Sequence, residues 1–470
     1  MTNWIPQLER SGLPLYREIA DILAHDIAEQ RLAVGTRLPT HRDLAWRLGV
    51  TVGTVSRAYA EAERRGLIGG EVGRGTFVLP TRREWLVPRE PAESSEPGSF
   101  IDLTLNYAIT GTEAGSLSAA LSRLSGHNDL DRMLRYQAHA GGAVDREAAA
   151  EWLRTTGLAT AQPESTIITN SGQHAIAMLV SALARPGDTI AVEQLTYPGL
   201  KAAAQQGGVH LVAVAMDEAG LQPDALDAAC RARTIRALYV MPTLHNPTTI
   251  TMPEGRRREI VEVCRRHQLP VIEDDVYGFL KDPSVPALVT DLPELGFYLS
   301  SASKGFAPGL RIGFIHAPRR EVERVAAAIH ASIYMTAPLM AAIVTQWIGD
   351  GTGARLAAEK RQLAAARQSL VQRVLGDGRF GTVLMTDPAS LHCWMTLPPG
   401  WRTDEFIAVA RQRGVGVTSA SAFAMGPAAT CPDAIRFCLG IPDTAEELER
   451  ALEILTATLA ARPSPYLSVV

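Results

Sequence analysis

Apolar residues fall at helical spacing through residues 15–30, LYREIADILAHDIAEQ. There Leu15, Ile19, Ile22, Leu23 and Ile27 share one face and predict an amphipathic helix. A turn at AVGTRLP separates it from HRDLAWRL, a short helix with Thr40 placed to cap its start, Asp43 in its first turn and Gly49 to end it. Thr51 is placed to cap a third helix, VGTVSRAYAEAERR, that stops at Gly66. Two helices joined by the tight LGV turn make a helix-turn-helix, and LIGGEVGRGTFVL then predicts a β-hairpin around a Gly-rich tip.

Residues 80–99, PTRREWLVPREPAESSEPGS, break every periodicity with four prolines and several charges, and predict an exposed linker. The expected organisation is a small domain over 1–80, a linker over 81–99 and a large domain over 100–470. The large domain is expected to have a main part over about 130–335 and a smaller α+β part over about 345–470. Beyond residue 100 the pattern alternates between β-prone runs (TIIT, DTIAVEQ, VHLVAVA, IRALYVMP, PVIEDD and GFYLSSAS) and helical stretches or turns. That alternation predicts an α/β fold with a mostly parallel sheet, whose ligands sit at the carboxyl ends of the strands.

Composition narrows the function classes. With 470 residues, 46% of them hydrophobic and 20% charged, the chain suits two or three globular domains. A net charge of −4 excludes a uniformly basic nucleic-acid binder, so DNA contact must come from a local patch. Such a patch exists at 37–74, where Arg37, Arg42, Arg47, Arg57, Arg64, Arg65 and Arg74 outnumber Asp43, Glu61, Glu63 and Glu71. Thr51 and Thr54, at the start of the third helix, suit phosphate or base-edge contacts, with Arg74 at the wing tip. A helical protein-interaction module is the plainer reading of the same segment.

Five cysteines, Cys230, Cys264, Cys393, Cys431 and Cys438, include no C-x-x-C pair, so neither a disulfide framework nor a zinc site is expected. No apolar leader opens the chain and no uncharged apolar run reaches membrane-spanning length, so a cytoplasmic protein without membrane or metal partner is expected.

Only four lysines occur, Lys201, Lys281, Lys304 and Lys360, so chemistry needing a lysine amine has few candidates. The strand ends carry Asn170-Ser171-Gly172-Gln173, Tyr197, His245-Asn246-Pro247-Thr248, Asp274-Asp275 followed by Tyr277, and Ser301-Ala302-Ser303-Lys304 followed by Arg311. This is the set that pyridoxal 5′-phosphate requires: an amine for its aldehyde, a carboxylate for its ring nitrogen, donors for its phenolic oxygen, and hydroxyls, helix-end amides and an Arg for its phosphate. Plainer readings stay open. Lys304 is otherwise a surface lysine, as Lys201 and Lys360 are expected to be. Asp274 is a turn cap, Asn246-Pro247 a turn, Ser171 only a helix N-cap, Arg311 or Arg436 a surface charge, and Tyr197 or Tyr136 packing. Asp275 is expected to cap a turn or face solvent, His245 to be structural, and Arg256–Arg258 to form a solvated helix face.

The N-terminal stretches LYREIADILAHDI, GTRLPTHRDLAWRLGVT, TVSRAYAEAERRGLI and GRGTFV resemble the GntR family of winged helix-turn-helix regulators over residues 12–79. Val52 stands where that family often has an Arg and would instead touch a thymine methyl. Residues 100–460 resemble the fold-type-I aminotransferases. That resemblance implies Lys304, in SASKGFAPGLRIGF, as the Schiff-base lysine and Asp274 as the ring-nitrogen partner. Asn246 and Tyr277 would serve the phenolic oxygen, and Ser171, Gly172, Gln173, Ser301 and Arg311 the phosphate. Tyr197 would stack on the ring, Tyr136 would reach a neighbouring subunit's phosphate, and Arg436 would clamp a substrate carboxylate. AGGAVDREAAAEWL departs from the Gly…Leu-Arg pattern that often follows such a tyrosine.

The two together, in this order, resemble the MocR subfamily of GntR-type regulators. That implies a DNA-binding regulator, a head-to-tail homodimer, bound pyridoxal phosphate, and an amino-acid or amine effector. A working aminotransferase that also carries a DNA reader is the alternative.

Overall fold

In a computed structural model, residues 4–6, 8, 14–28, 31–32, 36–64, 67–71, 75–78, 100–126, 130–281, 285–378, 380–425 and 431–461 are described. The chain forms two compact units, Met1–Val87 and Pro88–Val470.

In the first unit α1 (Leu15–Ala28), α2 (His41–Leu48) and α3 (Val52–Arg64) enclose a core that includes Ile19, Leu23, Ile27, Leu44, Val55, Ala58 and Tyr59. The expected caps form: Thr40 Oγ1 accepts from Asp43 N at 3.3 Å, and Gly49 ends α2 at φ 65°, a left-handed conformation that glycine adopts without strain. The wing pairs β1 (Ile68–Glu71) with β2 (Gly75–Val78), antiparallel. β2 is tied in turn to residues 36–38 through Leu38 N→Thr76 O and Val78 N→Thr36 O, both 2.9 Å. Arg74 and the 81–99 linker lie outside the described residues.

The second unit opens with β3 (Ile101–Asp102), then α4 (Glu113–Ser125), α5 (Leu130–Met133) and α6 (Ala143–Thr156). Its main sheet contains β4 (Thr166–Thr169), β5 (Thr189–Glu193) and β6 (His210–Val214). A small pair, β7 (Met216–Asp217) and β8 (Gly220–Leu221), precedes β9 (Ala237–Val240), β10 (Val271–Asp274), β11 (Gly296–Ser301) and β12 (Gly313–His316). The main sheet has the order β4-β12-β11-β10-β9-β5-β6, with helices as the connections. β12 runs antiparallel to both neighbours, so the sheet is mixed. The residues of β12 are not among the runs expected as strands, because the segment also carries the Lys304 motif. This antiparallel strand delivers Arg311, just before its first residue, to the same edge as the carboxyl ends of the parallel strands. Any side chain at Gly313 would collide with the Ser171 backbone, which explains the glycine where β12 meets the start of the next helix, α7 (Gly172–Leu183).

The C-terminal part is a four-stranded antiparallel sheet, ordered β13 (Val383–Met385), β14 (His392–Thr396), β17 (Ala434–Cys438), β16 (Thr418–Ser419). β15 (Val415–Gly416) instead pairs in parallel with β3, so the segment entering from residue 100 is built into this part, which has its own core around Phe406, Ile435, Phe437 and Leu452.

Three expectations of exposure are overturned. Central strands of the main sheet are covered on both faces, and alternation puts Glu273 and Asp275 under the helix Glu254–His267 while Asp274 faces the other way. Asp275 is therefore buried and accepts from the Tyr298 hydroxyl at 2.7 Å. Arg257 is buried too, donating to Pro242 O, Thr243 Oγ1 and Met252 O and facing Glu273 at 3.5 Å, so the arginine run is only partly solvated. Lys360 has no exposed surface: its Nζ donates to Ala108 O at 2.7 Å and pairs with Glu113 Oε1 at 3.1 Å. Burial without these partners would be prohibitive for either cation.

Candidate functional site

Five crossings of the sheet end at one edge, and their polar side chains converge there. Lys304 lies in a short helix (Ala302–Gly305) directly after β11, capped by Ser301 Oγ, which accepts from Ser303 N at 3.1 Å and donates to Ile312 O at 3.1 Å. The Lys304 amine donates to the Asn106 carbonyl. Burial, and then the Arg436 and Arg311 guanidiniums, outweigh the opposing Asp274 carboxylate and pull the amine down to about 8. A lysine so poised is available as a neutral nucleophile near neutral pH.

Asp274 ends β10, fully enclosed, and accepts from the Tyr239 hydroxyl at 2.5 Å. Burial pushes its carboxyl up to about 7; the Tyr239 hydrogen bond and the Lys304 charge oppose that. Tyr277, three residues on, is buried with its hydroxyl accepting from Asn106 Nδ2 at 2.8 Å. Asn246 Oδ1 accepts from Arg436 Nη1 at 3.1 Å, which leaves the Asn246 amide nitrogen as the end that donates elsewhere. Arg436, on β17, also donates to Thr104 O and to Thr418 Oγ1, and lies over the Phe423 ring at 4.9 Å. Its Nε is buried without a partner among the described residues.

At the start of α7, Ser171 Oγ accepts from His174 N at 3.0 Å, so Ser171 caps the helix, its hydroxyl hydrogen stays available, and the Gly172 and Gln173 amides lie at the helix N-terminus. Gln173 Nε2 donates to Gly199 O at 2.7 Å beside Tyr197. Burial and then the Asp274 carboxylate raise the Tyr197 hydroxyl against Arg436 and Arg311, the same charged groups that surround Lys304. Arg311 is exposed, with φ 51°, and its one hydrogen bond among the described residues is a long one to Pro308 O at 3.3 Å. Tyr136 does not join the cluster: it is 81% exposed, with its ring 4.7 Å from that of Tyr334. His245 is buried and bonded to framework groups, Thr248 Oγ1 at 2.7 Å and Leu195 O at 3.0 Å.

Several pocket residues carry no motif that would have revealed them. Asn106 comes from the segment after β3, Tyr239 from within the β-prone run IRALYVMP, and Thr104, Thr418 and His392 from the C-terminal part and its entry strand.

In the first unit Arg42 and Arg57 are exposed and make no ion pair with the described residues, whereas Arg47 is tied to Asp43 at 2.9 Å. Thr51 Oγ1 accepts from Thr54 N at 3.2 Å, and Val52 is 45% exposed beside it.

Residues 15–78 match the family described as bacterial regulatory proteins, gntR family, and residues 100–455 match aminotransferase class I and II. The HTH-type transcriptional regulator YdeF of Bacillus subtilis (strain 168) is 30% identical over 461 residues, covering 97% of each chain. The chain belongs to the MocR subfamily of GntR-type regulators. Another relative of this kind, HTH-type transcriptional regulator YjiR of Escherichia coli (strain K12), is 27% identical over 84% of this chain and 88% of its own. Among solved structures, an archaeal alanine:glyoxylate aminotransferase superposes with a TM-score of 0.70 at 21% identity, over 77% of this chain and 91% of that one. The α-aminoadipate aminotransferase LysN of Thermus thermophilus, complexed with N-(5′-phosphopyridoxyl)-L-leucine, gives 0.70 at 22% identity, over 79% and 94%. The large unit of this MocR-type chain thus has the fold-type-I aminotransferase fold.

Proposed function

We propose that this MocR-type protein is a DNA-binding transcription regulator whose large unit holds pyridoxal phosphate on Lys304 and responds to an amino-acid or amine ligand. The observation that carries this is the meeting, in a chain with a winged helix-turn-helix, of a half-buried, acidified lysine amine with a buried aspartate. The donor set fits the cofactor part by part. Asp274 suits a protonated ring nitrogen, and Tyr277 with the free end of Asn246 suits the phenolic oxygen. The Ser171 hydroxyl, the α7 amides and the loosely held Arg311 suit a phosphate, Ser301, whose own proton goes to Ile312 O, shapes the turn beside them, and Tyr197 suits the ring face. When bound, the cofactor supplies an aldehyde and an electron-withdrawing ring.

Arg436 is the receptor for a ligand carboxylate: its unpartnered, buried Nε lacks an acceptor that a carboxylate provides. An amine ligand competes with Lys304 for one position, and the charge gained at Arg436 biases how the C-terminal part closes on the main sheet. That bias, passed to the readers of a head-to-tail homodimer, alters which half-site spacing they fit. Exposed Leu130, Leu134, Tyr136 and Tyr334 offer an apolar surface for the second copy, with Tyr136 free to reach its phosphate site.

The test is borohydride reduction of protein incubated with pyridoxal phosphate, followed by peptide mass mapping, alongside operator binding with and without cofactor and an amino-acid panel. An adduct on Lys304, absent in Lys304→Ala, and a ligand-dependent change in DNA affinity are expected. An adduct elsewhere sinks the assignment.

The alternative, a working aminotransferase with a DNA reader, is favoured by the intact set of lysine, buried carboxylate and carboxylate-binding arginine that turnover would use. Amino-acid-driven conversion of the cofactor to its amine form at catalytic rates would decide for it.

A further inference from the structure

Asn106 makes three contacts in the pocket that no motif foreshadows. Its carbonyl accepts from the Lys304 amine, and its amide nitrogen lies 2.8 Å from the Tyr277 hydroxyl and 3.1 Å from His392 Nδ1. Its Oδ1 is buried without a partner among the described residues, although swapping the amide ends would let an oxygen face the Tyr277 hydroxyl. A buried acceptor left open is a cost, and the choice of amide end therefore needs a cause.

His392 supplies it. The ring is fully enclosed at the start of β14, with Gln368 Nε2 bonded to its carbonyl at 3.1 Å and the Ser390 hydroxyl against its backbone. Burial, then the charges of Arg436 and Lys304, push its pKa down to about 3, so the imidazole is neutral and has a single N–H. Its Nε2 faces the His245 carbonyl at 3.1 Å, and a carbonyl only accepts, so the hydrogen is on Nε2. Nδ1 is then bare and only accepts; the Ser390 hydroxyl stands 3.2 Å away, but its proton goes to the His392 carbonyl at 2.8 Å, so Nδ1 takes its hydrogen from the NH2 end of Asn106. The second hydrogen of that NH2 goes to the Tyr277 oxygen. The Tyr277 hydroxyl therefore accepts from Asn106, and its own proton has no acceptor among the described residues.

We infer that His392 and Asn106 are positioning residues: the tautomer of His392 fixes the Asn106 amide, and the amide aims the Tyr277 proton into the pocket, at the phenolic oxygen of bound pyridoxal phosphate. This rests on the cofactor reading above. Neither side chain needs to touch the ring. With the lock broken, the Asn106 amide is free to turn its oxygen to Tyr277 and capture the proton. The main-chain carbonyl of Asn106, separate from its side-chain amide, accepts from Lys304, so one residue braces both sides of the pocket.

A donor at the phenolic oxygen draws electron density from it and holds it ionised, which makes the attached nitrogen less basic and keeps the acid–base transition of the bound chromophore low. The experiment is a pH titration of visible absorbance in the cofactor-loaded full chain. Tyr277→Phe sets the size of the effect. His392→Phe, which keeps ring volume but removes both nitrogens, is expected to raise the transition by roughly one pH unit. Asn106→Asp, whose carboxylate only accepts, is expected to raise it likewise. Adding His392→Phe to Tyr277→Phe is expected to shift it no further. An unmoved transition in both single variants, or a full additional shift in the double variant, overturns the inference.

A second measurement needs no variant: nitrogen NMR of the histidines should show His392 neutral as the Nε2–H tautomer, and an Nδ1–H tautomer overturns the inference even if the protein binds cofactor. Borohydride mapping of the wild type separates the two levels. No adduct on Lys304 removes the cofactor reading and this inference with it. An adduct with unmoved titrations removes only the brace.

Discussion

The Tyr239 hydroxyl donates to Asp274 Oδ2 across 2.5 Å, with both side chains shut off from solvent. The bond favours the ionised carboxylate, against a burial that drives the carboxyl toward neutrality at about 7. Tyr239→Phe removes the donor and keeps the ring, so the carboxyl rises further and less of it is ionised at neutral pH. Pyridoxal phosphate affinity is expected to fall roughly tenfold at pH 7, in line with one hydrogen bond to a charged group, and to recover as pH rises toward 9. Fluorescence titration at the two pH values measures this; an equal loss at both would mean that Tyr239 only packs.

Asp274 also predicts a pH-dependent cost in the cofactor-free protein. Its folded pKa, about 7, lies above its ordinary 3.8. Below pH 4 the carboxyl is protonated folded or unfolded and costs nothing. Between 4 and 7 the unfolded chain ionises while the folded one resists, so folded stability drains away, and above 7 the loss is complete. Asp274→Asn has no proton to lose and still accepts from Tyr239. Its stability advantage over wild type should grow from pH 4 to 7 and then level off, reaching on the order of a few kcal/mol. Urea unfolding of both proteins across that range reads it; a constant difference would mean the carboxyl is not raised.

How much of this was legible in the sequence depends on what each residue answers to. The reader's helices and caps are local, and Thr40 and Gly49 do what their residue types dictate. Strand ends such as Asp274 and Ser301–Lys304 were legible because a parallel sheet gathers them at one edge. Asn106, Tyr239 and His392 were not, since each reaches the pocket through tertiary packing across large sequence separations, 171 residues in the case of Asn106 and Tyr277. Charge misled where partners were distant. Asp275, Arg257 and Lys360 look like surface residues one at a time, and only the fold brings up the Tyr298 hydroxyl, Glu273 and Glu113.

Lys360 turns that correction into a measurement. Its amine is sealed against Ala108 O and Glu113. Removing one member of a buried pair leaves the other uncompensated, so Lys360→Met should cost about 3–5 kcal/mol. Neutralising the partner as well, in Lys360→Met with Glu113→Gln, should recover part of that loss. Chemical denaturation of the wild type and these two variants tests it. A Lys360→Met protein as stable as wild type would return Lys360 to the surface.

In the reader, Arg57 and Val52 separate two ways of holding DNA. Arg57 is exposed and without an ionic partner among the described residues, as a phosphate-binding arginine would be. Val52, exposed at the start of α3 behind the Thr51 cap, has only methyl groups to offer. Arg57→Ala should weaken binding to operator and unrelated duplex alike and reduce the salt slope of log affinity by about one, the loss of one phosphate contact. Val52→Ala should leave the salt slope alone and lose affinity only where a thymine methyl is present. Replacing that thymine by uracil in the operator should then weaken the wild type and leave Val52→Ala unchanged. Gel-shift titrations over a range of salt with the two duplexes distinguish these outcomes. A salt slope that falls for Val52→Ala, or a uracil effect that persists in it, would mean that Val52 supports the helix instead of reading the base.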